Sequence, residues 1–215
     1  MVGPEFPHLH VITDARHGRQ PLTVVAAAIA AARRLRACHR LAVQVRVEDD
    51  ATDRDAYELA DAVLELCRHY GVWCLVNDRL HVALAIGADG GHVGAADLPV
   101  AVARKVLGPV SVLGATCRDV AGARAARRAG ASYLGVGPAF ATTTKTGLPG
   151  PLGAAAVGTV AAAVPDTPIV AVGGVTAGNA RSLIGAGAAA VAVVGAVGAA
   201  ADPGRATEDL LRVLA

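Results

Sequence analysis

The sequence predicts one α/β domain, a (β/α)8 TIM barrel, on three observations. Short β-branched runs alternate along the chain with Ala/Leu/Arg segments at helical spacing, the pattern of repeated βα units feeding a parallel sheet. Eight such pairs can be counted, and eight close on themselves into a barrel, with an open doubly wound sheet as the alternative. Two late runs, Ile169-Val-Ala-Val-Gly173-Gly174 and Ala190-Val-Ala-Val-Val194-Gly195, each end in glycine, at the place where barrels often hold phosphate.

Taken in order, the strands fall at residues 10–13, 41–47, 73–76, 91–93, 110–115, 133–136, 169–172 and 190–194, each with at least one β-branched residue. Helices fall at 23–37, 51–69, 79–86, 100–107, 120–129, 153–164, 177–186 and 206–214, segments rich in alanine, leucine and arginine. Asp97-Leu-Pro99 puts proline just inside a helix start, so Asp97 reads as an N-cap as readily as a ligand, and Asp78 reads the same way before the third helix. On Leu41-Ala-Val-Gln-Val-Arg-Val-Glu48 strand alternation sets Gln44, Arg46 and Glu48 on one face and Val43, Val45 and Val47 on the other. Inward-facing Gln, Arg and Glu are costly unless paired or given a ligand. An Arg46–Glu48 or Arg46–Asp78 ion pair closing the barrel floor is the structural alternative to a binding site.

Composition narrows the function classes. At 215 residues the chain fits one domain, read as an N-terminal tail at 1–8 and a barrel domain at 9–215. Hydrophobic residues make up 53% and aromatics 3%, which predicts an aliphatic core. A formal charge of +2, without a basic block interleaved with aromatics, argues against nucleic acid as a partner. Cys38, Cys67, Cys74 and Cys117 show no CxxC spacing and no leader-like segment opens the chain, so a reduced, cytoplasmic protein is expected. The apolar stretch 186–201 is too short for a membrane span. A homodimer is left open.

In a barrel the loops after the strands converge on one mouth. That mouth receives Thr13 and Asp14, Gln44 and Arg46, Asn77 and Asp78, His92 and Asp97, Thr116, then Thr142, Thr144 and Lys145, and finally Gly173, Gly174 and Gly195. The run from Gly135 to Lys145 places hydroxyls and an ammonium just past an apolar strand, the equipment of an anion site. Asp78 and Asp97 offer the carboxylates Mg²⁺ takes when phosphate oxygens and water complete its octahedron. The glycines either let backbone N–H groups approach a second anion or serve turns needing positive φ. His92 is an acid/base candidate or a hydrogen-bonded wall residue. The remaining histidines lack metal-ligand spacing.

These motifs together resemble the thiamine phosphate synthase and thiazole tautomerase superfamily, from Leu9 to about Leu214. The matching segments are Val43-Gln44-x-Arg46, Asn77-Asp78-Arg79, Ala88-Asp89-Gly90-Gly91-His92-Val93-Gly94 with Asp97-Leu98-Pro99, Gly137-Pro138-x-Phe140-x-Thr142-x-Thr144-Lys145, Gly173-Gly174 with Asn179, and Val191-Ala192-Val193-Val194. The resemblance implies a transferase that couples hydroxymethylpyrimidine diphosphate to a thiazole phosphate and releases pyrophosphate. It implies that Arg46, Asn77 and Lys145 hold the diphosphate, Asp78 and Asp97 the Mg²⁺, and Gln44 the pyrimidine. Thr142 and Thr144 would face the thiazole, with its phosphate on backbone near Gly173, Gly174 and Gly195. Arg46, Lys145 and Thr116 are the groups it places nearest the reacting diphosphate.

The pattern also departs from that superfamily. Glu48 stands where the synthases carry lysine, Ala95 where they carry glutamine, and Thr116 and Gly195 where they carry serine. Arg118 stands where the tautomerases have histidine, although Lys145-Thr-Gly-Leu148 looks like their loop. A tautomerase-like isomerase, a paralogue using another acceptor or diphosphate, and a phosphate-binding barrel without turnover stay open beside the synthase.

Overall fold

The computed structural model describes residues 6–144 and 147–215. Eight parallel strands hydrogen-bond in sequence order and close into a barrel, the first pairing with both the second and the last. They are β1 (Leu9–Ile12), β2 (Leu41–Val45), β3 (Trp73–Asn77), β4 (Gly90–Val93), β5 (Val112–Cys117), β6 (Tyr133–Val136), β7 (Ile169–Val172) and β8 (Ala190–Val193). Each of the first seven leads into a helix: α1 (Pro21–Arg34), α2 (Asp53–Arg68), α3 (Leu80–Ile86), α4 (Val100–Leu107), α5 (Val120–Arg128), α6 (Gly153–Ala163) and α7 (Ala177–Gly185). β8 is followed by a short α8 (Gly195–Gly198) and then α9 (Pro203–Val213), which packs on α1 and closes the ring of helices.

Several boundaries move for visible reasons. β2 stops at Val45, short of the expected 47, because Thr13 Oγ1 accepts from the Arg46 N–H and donates to the Arg46 carbonyl, both at 2.8 Å. One side chain thus replaces a rung of the ladder. Helix α1 starts at Pro21 and α9 at Pro203, both earlier than expected, since proline suits the first helical turn. Asp202 caps α9 by accepting from the Arg205 N–H at 2.9 Å. The α8 turn was not expected at all.

The layer between strands and helices is aliphatic, as the composition predicts: Val43 and Val45 point outward there, with Val63, Leu113 and Leu183. The barrel interior is mixed. Rings of Phe6, His10, Trp73, Tyr133 and His92 share it with Leu75, Val170, Ala190 and Ala192, with centroids 5.5 Å apart for His10 and Tyr133 and 5.6 Å for His92 and Tyr133. Phe6 lies ahead of β1 and touches three of these rings, at 5.5 to 5.8 Å, from the N-terminal end of the barrel. Three of the chain's six Phe, Tyr and Trp residues thus lie where a closed sheet needs bulk. Among the described residues no helix is long and apolar enough to cross a membrane.

Candidate active site at the barrel mouth

The parallel registers carry the polar strand ends to one rim. Asn77 on β3 pairs in register with His92 on β4, and Thr116 on β5 with Gly135 on β6. Gln44, buried on β2, sits one layer below, in register with Ile12 and Leu75. Arg46 follows the end of β2, its side chain 17% exposed, with a guanidinium nitrogen 3.7 Å from Glu48. The anticipated Arg46–Glu48 pair therefore exists, but at the mouth and not at the floor, because both residues lie past the C-terminal end of the strand. Glu48 lines a rim cleft of about 520 Å³ with Arg16, His17 and Asp55.

Beside it, Asp14 is buried and clamped by Arg16, whose Nε and Nη2 donate at 2.7 and 2.6 Å, and by Arg19 at 3.2 Å. The Arg16 hydrogen bonds hold the Asp14 carboxyl below its usual range against the opposing effect of burial. The sequence shows Asp14 at the mouth but not its cationic partners, since Arg16 and Arg19 lie in the loop between β1 and α1, where no strand or helix period flags them.

Neither carboxylate assigned to metal behaves as a simple helix cap. Asp97 accepts from the Gly94 N–H at 2.7 Å, folding the loop after β4 back on itself, and the residue preceding α4 is Pro99. Asp78 has φ of +60°, uncommon for a residue with a side chain, and accepts from the Asn77 amide at 2.5 Å, while Arg79 flanks α3. A strained backbone at a strand end is a feature of sites that hold ligands.

His92 is buried, and both its ring nitrogens are engaged: Nδ1 lies 3.0 Å from the Tyr133 hydroxyl and Nε2 2.9 Å from Thr116 Oγ1. Burial lowers its pKa to about 4, so the ring is neutral at physiological pH. Both contacts are those of a hydrogen-bonded wall residue, one of the two roles considered for it. Tyr133 went unnoticed in the sequence because it opens a strand that otherwise reads as core.

The long loop after β6 brings its threonines to β8. Thr142 Oγ1 accepts from the Thr144 N–H at 3.3 Å, and a Cβ placed on Gly195 would stand 3.6 Å from Thr144 Oγ1. Lys145 lies outside the described residues. Arg118, from the end of β5, spans both ends of this loop, donating to the Gly137 carbonyl at 3.0 Å and the Gly150 carbonyl at 2.9 Å. Gly173 and Gly174 both take positive φ, +96° and +64°. A Cβ on Gly173 would fall 2.6 Å from Pro138 Cβ, and one on Gly174 would run into the Ala141 carbonyl. Asn179 ties this turn down, donating to the Gly174 carbonyl at 3.0 Å. The turn thus takes the positive φ considered for it above and also lies under the loop after β6, either of which calls for glycine, while its backbone N–H groups stay a proposed phosphate site.

A closed eight-stranded α/β barrel whose strand ends gather cations, carboxylates and hydroxyls is the architecture of a barrel enzyme acting on small anionic substrates. The chain matches the family described as thiamine monophosphate synthase over residues 9–197 and belongs to that family. It is 60% identical over 206 residues to a thiamine-phosphate synthase of Salinispora tropica, covering 96% of each chain, and 58% identical to that of Salinispora arenicola with the same coverage. Its fold is similar to that of thiamine phosphate pyrophosphorylase from Pyrococcus furiosus, with a TM-score of 0.84 at 33% identity, over 96% of this chain and 95% of the other.

Proposed function

We propose that the protein is a transferase that couples hydroxymethylpyrimidine diphosphate to a thiazole phosphate, forming thiamine phosphate and pyrophosphate. The observation that carries this reading is the gathering of Gln44, Arg46, Asn77, Asp78 and Thr116 at one mouth, with Thr144 beside Gly195, in a chain of this family. In the reaction a bond forms from the thiazole to the methylene carbon of the pyrimidine as the carbon–oxygen bond to the diphosphate breaks. The electron pair leaves with pyrophosphate.

This chain's residues act chiefly by position and charge. Arg46 and Asn77 hold the diphosphate, with Lys145 as their expected third partner. Gln44 spends its amide N–H on Tyr133 at 3.4 Å, which leaves its carbonyl oxygen to accept from the pyrimidine. Thr142 and Thr144 face the thiazole, and backbone near Gly173, Gly174 and Gly195 receives its phosphate. The donor set at Asp78 and Asp97 fits Mg²⁺, being hard carboxylate oxygens on neighbouring loops. Among the described residues no cluster of three or more His, Cys, Asp or Glu side chains is suited to hold an ion, so the substrate's phosphate oxygens would complete the coordination. Bound there, the metal would neutralise charge on the departing pyrophosphate. Cys38, Cys67, Cys74 and Cys117 are free thiols, which suits a cytoplasmic setting.

The test is pyrophosphate release from purified protein with hydroxymethylpyrimidine diphosphate and Mg²⁺, with and without thiazole phosphate, the product being read by mass. Thiamine phosphate formed only with all components is the expected result. Its absence from folded protein, beside an active control enzyme, removes the assignment.

A further inference from the structure

Beneath the mouth a line of side-chain hydrogen bonds crosses the barrel from β2 to β6, β4 and β5, and the reaction scheme above leaves most of it unused. Gln44 Nε2 donates to the Tyr133 hydroxyl at 3.4 Å. The hydroxyl meets His92 Nδ1 at 3.0 Å, and His92 Nε2 meets Thr116 Oγ1 at 2.9 Å. Tyr133 is 1% exposed and His92 7%, so water does not compete for these groups.

The barrel makes room for this line at the expense of side chains elsewhere. A Cβ on Gly114 would run into the Tyr133 ring and His92 Nδ1, and one on Gly135 would stand 3.0 Å from His92 Cε1. Gly114 is in register with both His92 and Tyr133, and Gly135 with Thr116. Two adjacent strands thus omit inward side chains at the positions the ring pair occupies. That is a built arrangement and not a chance contact.

Counting hydrogens gives the line a direction. A neutral imidazole carries one N–H, and a phenol whose pKa burial pushes up keeps its single O–H. The phenol oxygen receives a Gln44 N–H, and among the described residues its other hydrogen-bond partner is His92 Nδ1, so its own hydrogen goes there. The ring hydrogen must then sit on Nε2, where it is donated to Thr116 Oγ1. The hydrogen of Thr116 is not consumed by the line and is left for an acceptor in the mouth.

We propose that Tyr133 is a positioning residue: through His92 it fills an acceptor site of Thr116 and so turns the Thr116 O–H toward an anionic oxygen of the substrate. Naming that oxygen as one of the diphosphate rests on the synthase reading. The direction of the line does not. Without the Tyr133 hydroxyl, Nδ1 has no donor, the ring is free to carry its hydrogen there, and Thr116 can donate inward to Nε2.

Two readouts test this on the full-length protein. In histidine-¹⁵N NMR, with the His92 signals assigned by their loss in His92→Gln, the wild-type ring is expected as the Nε2–H tautomer. Tyr133→Phe should remove that preference. Kinetically, loss of one oriented hydrogen bond should lower kcat about tenfold in Tyr133→Phe while KM for thiazole phosphate stays within about twofold. Thr116→Val should fall at least as far, Thr116→Ser should stay near wild type, and Tyr133→Phe added to Thr116→Val should cost little more. An Nδ1–H ring in the wild type overturns the proposal, and this measurement needs no variant of Tyr133 to fold. A Tyr133→Phe enzyme with wild-type kcat overturns it too. A wild-type Nε2–H ring whose preference disappears in Tyr133→Phe, in a protein that makes no thiamine phosphate, supports the line and removes the synthase reading instead.

Discussion

The Arg46 guanidinium stands 3.7 Å from the Glu48 carboxylate at the mouth end of β2, both side chains partly exposed. Such a pair is worth about 0.2–1 kcal/mol, too little to hold Arg46 away from a diphosphate but enough to reduce its pull. Glu48→Lys should lower KM for the diphosphate substrate about threefold to tenfold, equivalent to about 0.7–1.4 kcal/mol, with kcat changed less. Steady-state kinetics on the purified variant checks this. A collapse of turnover would make Glu48 a working group.

Arg118 is the only link described between the end of β5 and both ends of the loop after β6. Arg118→Ala removes two charge-assisted hydrogen bonds to carbonyls, partly screened by solvent, and should raise KM for thiazole phosphate about tenfold. Arg118→Lys should recover little of it, because one ammonium does not offer the guanidinium fork that reaches both carbonyls. Equal KM values for all three proteins would show that the loop holds its place without the clamp.

Two buried histidines set an acid limit on stability. Burial lowers His10 to about 3 and His92 to about 4, against 6.5 when unfolded. Below 6.5 the unfolded chain binds more protons than the native one, so stability is full above 6.5 and declines as pH falls toward the folded values. Each histidine contributes a slope of at most about 1.4 kcal/mol per pH unit. Chemical denaturation from pH 7 to 4 should show this decline, and His10→Phe, which keeps a ring beside Phe6 and Tyr133, should reduce its slope by about one proton. An unchanged slope would mean His10 is not neutral in the native state.

Gly173→Ala should destabilise by about 1–3 kcal/mol or more, since it combines positive φ with a Cβ 2.6 Å from Pro138. The loss should appear in the melting temperature and also in KM for thiazole phosphate, as the turn carries the loop after β6. An unchanged melting temperature would refute the steric argument.

Chelation with EDTA should stop turnover and leave the melting temperature of the free protein unchanged, because among the described residues no cluster could hold an ion on its own. A fall in melting temperature would point to a resident metal instead.

The barrel was legible because its strands alternate with helices over the whole chain, and the mouth because strand ends are where polar residues interrupt apolar runs. Most of what escaped is non-local. Arg118 acts across a loop on two carbonyls that have no sequence signature, and even the nearby Arg16–Asp14 clamp lies in a loop whose conformation no periodicity encodes. Tyr133 and Phe6 were hidden by low aromatic content, which says how many rings exist but not that a closed sheet collects them. Thr13 shortened β2 by bonding the backbone of a residue on another strand, a choice that propensity along one segment does not encode.

Phe6 stoppers the end of the barrel opposite the mouth. Its contact with the first residues of β3 and β6 makes the interior a cup with one opening. Anything that reaches Gln44 or Thr116 therefore enters past the C-terminal ends of the strands and leaves by the same route.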